Sequence, residues 1–179
     1  REGWRLCIVI VLLRAVNVGG ATLPMARLRE IAGGLGASDV ATYIASGNLI
    51  ADVPGDPHDF DRALERAVEA EFGFFREVIS RSPEQVRTAL DAHPFEVIEP
   101  KFSYVTFLLA APTPDRVAAA EDVATGDDRW QVIGSELHVR YAEGAGRPQL
   151  KVDTLMRRLG TPGTARNLST VRRLVDLAT

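Results

Sequence analysis

The same order of elements can be read twice along this chain, and that repeat constrains the fold more than any single motif does. Leu6–Leu13 is a run of Ile, Val and Leu of the kind a strand covered on both faces carries. Pro24 reads as the first residue of a helix, with Met25, Leu28, Ile31 and Leu35 at helical spacing and Gly36 as its stop. Val40–Ile44 reads as a strand. Leu49–Val53 is its continuation or its hairpin partner, across a turn or bulge at Ser46-Gly47-Asn48. Asp56 and Pro57 are the cap and first residue of a second helix, striped by Phe60, Leu64, Ala67 and Val68 and ended by Gly73. Phe74–Ile79 reads as the next strand.

The second half follows suit. Ser82-Pro83-Glu84-Gln85 is a capping signal with the spacing of a capping box, and it starts a short helix that runs through Leu90 and ends before Pro94. Ser103–Ala110 is a strand, Thr113-Pro114 opens a helix through Val123, and Trp130–Ile133 with Leu137–Tyr141 flank Gly134-Ser135 as a hairpin. A helix over Leu150–Leu159, a short strand at Thr164–Asn167 and a last helix over Ser169–Leu177 complete the chain. Both halves read as βαββαβ, the ferredoxin-like order. The expectation is an α+β protein of two ferredoxin-like subdomains, residues 1–80 and 81–179, packed into one compact unit that folds cooperatively. Strand order is not readable from one sequence.

Composition narrows the class. At 46% hydrophobic residues over 179 positions, there is material for a sizeable core. A net charge of -3 predicts no bulk attraction to nucleic acid or to an anionic membrane. The longest apolar run, Leu6–Leu13, is far shorter than the roughly 20 residues that span a bilayer. It imitates a signal-peptide core behind Arg1 and Arg5, but Arg14 and Asn17 follow it where a small-residue cleavage site belongs. The single cysteine, Cys7, excludes an internal disulfide. In an apolar run it reads as a small hydrophobe, and it fits a reducing cytoplasm, the expected location.

The usual catalytic constellations are missing. Gly19-Gly20 precedes a helix, as a phosphate loop does. No Walker lysine follows, the dinucleotide fingerprint spacing is absent, and a plain turn is the simpler reading. His58, His93 and His138 do not stand at metal-ligand spacing, so neither metal nor cofactor is expected. His58 reads as part of an acidic first helical turn, and His138 as lying with Glu136 and Arg140 on a solvated sheet face. Ser46-Gly47 lacks the preceding glycine of a nucleophile elbow. From Arg147 to Arg173 seven basic residues stand against Asp153 alone. That stripe suits phosphate, but a solvated helix face explains it more simply. Aromatics Phe102, Tyr104 and Phe107 on one strand read as core packing, because "KFSYVTFLL" lacks the glycines of an RNA-recognition signature.

Three segments, "LLRAVNVGG", "YIASGNLI" and "TARNLSTV", are specific in their order and spacing, and "PMARLREI" and "RRLGTPGTARN" fit with them. Together they resemble the bacterial domain of unknown function 1697 family, from about Val11 to Leu177. The resemblance implies an α+β fold of two ferredoxin-like halves and no established activity. The positions it carries over are Arg14, Asn17, Gly19 and Gly20, then Ser46, Gly47 and Asn48, then Thr164, Arg166, Asn167 and Thr170. The chain departs from the family at Ala15, where glycine is usual, at Leu168, where tryptophan is usual, and at Ser169, where asparagine is common. The residues ahead of Ile10 look unlike the family's brief start and read as an extension.

Three readings of these residues follow. As a binding module, Arg14, Asn17, Gly19, Gly20, Ser46, Gly47, Asn48, Arg166, Asn167 and Thr170 form a donor-rich cluster for an anionic ligand, a nucleotide or a nucleic-acid segment. As a structural device, the asparagines and arginines tie loops to exposed backbone groups. As an enzyme, Arg14 and Arg166 stabilise an anionic transition state, with no evident base or nucleophile. No membrane partner is expected, and the sequence does not set the oligomeric state.

Overall fold

The computed structural model describes residues 6–179. The extension read ahead of Ile10 falls in part on residues 1–5, outside the described residues. The chain divides into two compact units, one running to Arg87 and including Leu174–Thr179, the other Thr88–Arg173.

In the first unit, strands β1 (Leu6–Leu13), β2 (Ser38–Thr42), β3 (Asn48–Pro54) and β4 (Val78–Arg81) form one sheet in the order β2-β3-β1-β4, with every neighbouring pair antiparallel. The stretch after Ser46-Gly47-Asn48 is therefore a hairpin partner. Alternation sends Val9, Val11 and Leu13 of β1 to one face, where they pack with Leu49 and Val53. Helices α1 (Met25–Gly34) and α2 (Pro57–Phe72) close that core with Leu28, Ile31, Phe60, Leu64 and Val68. Asp56 caps α2 by accepting from the His58 amide at 2.8 Å, Pro57 takes the first turn, and Gly73 ends the helix with a left-handed φ of 79°. Pro24 is the cap of α1 and not its first residue, because its backbone is extended (φ −62°, ψ 134°).

The outer edge of β4 is closed by α2. Arg14 N–H donates to the Glu77 carbonyl at 3.0 Å, which sets the ladder so that Val78 and Ser80 turn their amides away from β1. Glu65 accepts from Val78 N–H at 2.9 Å, Asp61 from Ser80 N–H at 3.0 Å, and Arg62 donates to the Val78 carbonyl at 2.7 Å. Asp61 and Glu65 stand one helical turn apart, so their spacing matches alternate residues of the strand. Both carboxylates are buried. Burial pushes the Asp61 carboxyl up to about 6, against the hydrogen bonds from Ser80.

α3 (Pro83–Asp91) carries the chain onward. Its start is a reciprocal capping box: Gln85 N–H donates to Ser82 Oγ at 3.0 Å, and Ser82 N–H to Gln85 Oε1 at 2.8 Å. In the second unit β5 (Ser103–Leu108), β6 (Arg129–Ile133), β7 (Glu136–Arg140) and β8 (Gly163–Asn167) form an antiparallel sheet in the order β6-β7-β5-β8. Helices α4 (Pro114–Ala119) and α5 (Val152–Leu159) cover it, around a core that includes Leu108, Leu137, Val139, Leu155 and Leu159. α6 (Leu168–Leu177) ends the chain. The element order and the strand order of the first unit recur, consistent with two βαββαβ halves.

Several expectations are corrected. The strand expected from Phe74 begins at Val78; Arg76 folds the preceding residues into a loop by donating to the Ala15 and Phe75 carbonyls. The helix expected through Val123 ends at Ala119, where bonds from Ala120, Glu121 and Val123 three residues back tighten the chain into turns. Phe102 belongs to a 3-10 turn at Pro100–Phe102, so only Tyr104 and Phe107 share β5. Cys7 is exposed. His138 is not on a solvated face: it is fully buried, its Nδ1 2.9 Å from His93 Nδ1. The segment following α3 brings His93 onto that face.

Candidate binding surface

Three loops of the first unit gather at one end of its sheet. β1 ends there. β2 runs parallel to β1, since both are antiparallel to β3, so the β2–β3 loop lies at the same end. β4 is antiparallel to β1, so the loop from α2 enters there as well. Two of the three motif segments thereby meet. Leu13 N–H donates to the Gly47 carbonyl at 2.9 Å, and Asn17 Nδ2 donates to the Ala45 carbonyl at 2.6 Å.

Most of the motif's amides and glycines hold this loop cluster together. Asn17 also donates to the Leu23 carbonyl (3.0 Å) and accepts the Leu23 amide (2.7 Å), spanning the loop from β1 to α1. Its own φ is 58°, a conformation that asparagine tolerates. Asn48 is fully buried and donates to the Tyr43 carbonyl and to Ser46 Oγ, both at 2.9 Å. Gly47 has φ 88°, and a Cβ there would lie 2.6 Å from Val16 Cγ2. Gly19 (φ 59°) and Gly20 (φ 89°) are exposed with open space around them, so backbone conformation and not crowding calls for glycine.

What the cluster presents outward is different. Arg14 is exposed and pairs with Glu77 at 3.3 Å. Arg76, which sequence reasoning missed, donates to the Ala15 carbonyl (3.2 Å) and the Phe75 carbonyl (2.7 Å), and its guanidinium lies 5.2 Å from the Phe74 ring centre. Val18, Ile44 and Phe75, one from each loop, are large apolar side chains left exposed. Ile44 has φ 49°, a strained value for a β-branched residue. "FFRE" signals none of this in sequence, because it reads as an apolar strand start.

The third segment lies in the second unit. Asn167 Oδ1 accepts the Thr170 amide at 2.9 Å, capping the start of α6. Arg166 is buried and donates to Thr164 Oγ1 and, at 2.9 Å, to the Ala165 carbonyl. Burial lowers its guanidinium to about 10. Among the described residues no group of three or more His, Cys, Asp or Glu is placed to hold a metal ion, and no helix is long and apolar enough to cross a membrane.

The fold and the loop end define a two-unit α+β protein whose outward-facing arginines and apolar side chains are set on a scaffold of structural asparagines. The chain belongs to the family described as protein of unknown function (DUF1697), whose model matches residues 8–138. The first two motif segments lie inside that match and the third beyond it. The fold is similar to that of the conserved bacterial protein SP0830 from Streptococcus pneumoniae, at 19% identity and a TM-score of 0.73, covering 97% of this chain and 99% of that one. No curated protein matches the chain.

Proposed function

We propose that the loop end of the first unit binds a phosphate-bearing ligand, a nucleotide or a nucleic-acid segment. The observation that carries the reading is the pairing of two charged guanidinium groups, Arg14 and Arg76, with exposed Phe75, Val18 and Ile44 on one loop cluster. Arginine meets phosphate through paired donors, and an exposed ring offers a base a stacking surface. Among the described residues Arg76 has no carboxylate partner. Asn17, Gly47 and Asn48 act as positioning groups that hold the arginine-bearing backbone. For Arg166, Asn167 and Thr170 the structural reading is favoured, since their bonds cap α6 and hold β8.

The test is fluorescence anisotropy with a labelled single-stranded oligonucleotide at low salt, with nucleoside triphosphate and inorganic phosphate as competitors. Binding that weakens with salt, and weakens at least tenfold in Arg14→Ala and Phe75→Ala, supports the reading. Absence of binding to all three probes overturns it.

A further inference from the structure

The two sheets have four edges, and three of them are blunted. β4 is covered by Asp61, Arg62 and Glu65 of α2. β2 is broken by a register shift between Ser38 and Ala41, with Asp39 at φ 49°. On β8, the Ala165 carbonyl accepts from Arg166. β6 carries none of these devices: its register with β7 is unbroken from Arg129 to Ile133, with no proline.

The outward-facing groups of β6 can be identified. Ile133 and Glu136 flank a two-residue turn and so exchange both ladder bonds. On the far side of β7, Leu108 N–H donates to the Ser135 carbonyl at 2.9 Å and Tyr141 N–H to the Phe102 carbonyl at 2.8 Å, which fixes the same parity. Trp130 and Val132 therefore turn N–H and C=O to the open edge, and among the described residues neither finds a partner there. A groove of about 300 Å³ lies alongside, lined by Val117, Glu121 and Thr125 together with Trp130 and Val132. α4 and the turn after it thus flank the place where a further strand would sit. Asp128, buried beside this edge, accepts the amides of Ala142, Gln149 and Leu150 and holds the adjoining loop.

We propose that β6 is a homodimer edge: a second copy of this chain adds its own β6 antiparallel, about a twofold axis at Gln131, joining two four-stranded sheets into one. An edge-facing residue must pair with an edge-facing residue, so Trp130 of one copy meets Val132 of the other, twice over. An aromatic beside a β-branched residue is a favourable cross-strand pair. Arg129 falls opposite Ile133, so no like charges oppose each other. β6 is self-complementary in that register: the second copy's Trp130 and Val132 come to the groove beside Val117, Trp130 and Val132, the apolar part of a lining that also holds Glu121, Thr125, Asp128, Arg129 and Gln131. Edges of five residues bury less than the roughly 1,200–2,000 Å² of a tight interface, so the dimer forms at micromolar or higher concentration.

Sedimentation equilibrium of the full chain from low micromolar to millimolar concentration tests this. The mass is expected to rise toward twice that of one chain. Val132→Pro removes an outward amide and the valine side chain and leaves the backbone ladder to β7 intact, so dimerisation weakens at least tenfold while the circular dichroism is unchanged. In a Cys7→Ser background, Gln131→Cys gives a disulfide-linked dimer under mild oxidation, since directly opposed residues of a non-hydrogen-bonded pair lie about 4.5 Å apart at Cα, within disulfide reach. This second variant does not depend on whether the proline variant folds. A mass that stays at one chain throughout overturns the proposal. So does a dimer that yields no crosslink through Gln131→Cys.

Discussion

His93 and His138 face each other Nδ1 to Nδ1 at 2.9 Å, inside the second unit, and neither Nε2 has a hydrogen-bond partner among the described residues. One ring donates and the other accepts, and burial, which lowers both imidazoles, favours the neutral pair at neutral pH. The accepting ring then carries its proton on a buried Nε2 that has no acceptor. A third ring, Phe95, stands edge-on to His93.

Acid should undo this arrangement. Burial lowers both imidazoles, and with the added repulsion of His93 the His138 ring titrates at about 4. A histidine whose folded pKa is depressed stabilises the fold above its ordinary value near 6.5, and that stability is lost as pH falls through 4. The His138 contribution is about 3 kcal/mol, at about 1.4 kcal/mol per unit. His138→Gln retains a partner for His93 and should flatten the acid limb in urea titrations between pH 6.5 and 4. An unchanged limb would refute the assignment.

Asp61 works in the opposite sense. Its carboxyl is raised to about 6 by burial. A raised folded pKa favours the fold most below the unfolded value of 3.8, and the benefit is lost as pH rises through 6. Asp61→Asn keeps an acceptor for Ser80 N–H and a donor for Ser80 Oγ. It should therefore raise stability at pH 8, by at most about 3 kcal/mol, and flatten the slope between pH 4 and 6. Asp61→Ala should instead lose about 1–3 kcal/mol and uncover the β4 edge. A loss of stability in Asp61→Asn at pH 8 would contradict this account.

Gly47→Ala and Gly19→Ala separate crowding from backbone strain. Both glycines have left-handed φ, but an added Cβ at 47 meets Val16 at 2.6 Å and Leu13 Cβ at 3.0 Å, whereas at 19 it meets nothing within 4 Å. Gly19→Ala should cost about 1 kcal/mol from conformation alone. Gly47→Ala should cost about 2–4 kcal/mol, because the end of β1 must move as well. Thermal melts of the two variants give the order, and equal losses would show that contact with Val16 is relieved cheaply.

Much of the fold was legible because its signals are local. The Ser82–Gln85 box, the Asp56-Pro57 start and the apolar stripe of α2 each act within a few residues, and the structure carries all three. What escaped depends on distant partners. Alternation correctly set His138 on the face opposite Leu137 and Val139, but whether that face is wet depends on His93, 45 residues away. Asn17, Gly47 and Asn48 stand out as chemistry, yet the asparagine amides donate to the Leu23, Ala45 and Tyr43 carbonyls and the Gly47 carbonyl accepts from Leu13 N–H. Arg76 and Phe75 carry no sequence signal because an irregular loop after a helix has no periodicity to betray it.

The Arg14–Glu77 pair offers the most discriminating change at the proposed binding surface. At 3.3 Å, with the arginine side chain about half exposed, it contributes at most about 1 kcal/mol to stability. Glu77→Gln leaves the backbone bond from Arg14 N–H to the Glu77 carbonyl in place, so the loop keeps its path. It removes the carboxylate that pairs with the Arg14 guanidinium and so competes with a ligand phosphate for it. The melting temperature should therefore barely change, while oligonucleotide affinity rises several-fold. The salt dependence should steepen by about one further phosphate contact, a slope increment of roughly 0.7 for a single strand. Anisotropy titrations at three salt concentrations measure both quantities. Weaker binding in Glu77→Gln would mean that this carboxylate positions a donor and does not mask one, and that the surface does not select an anion through Arg14.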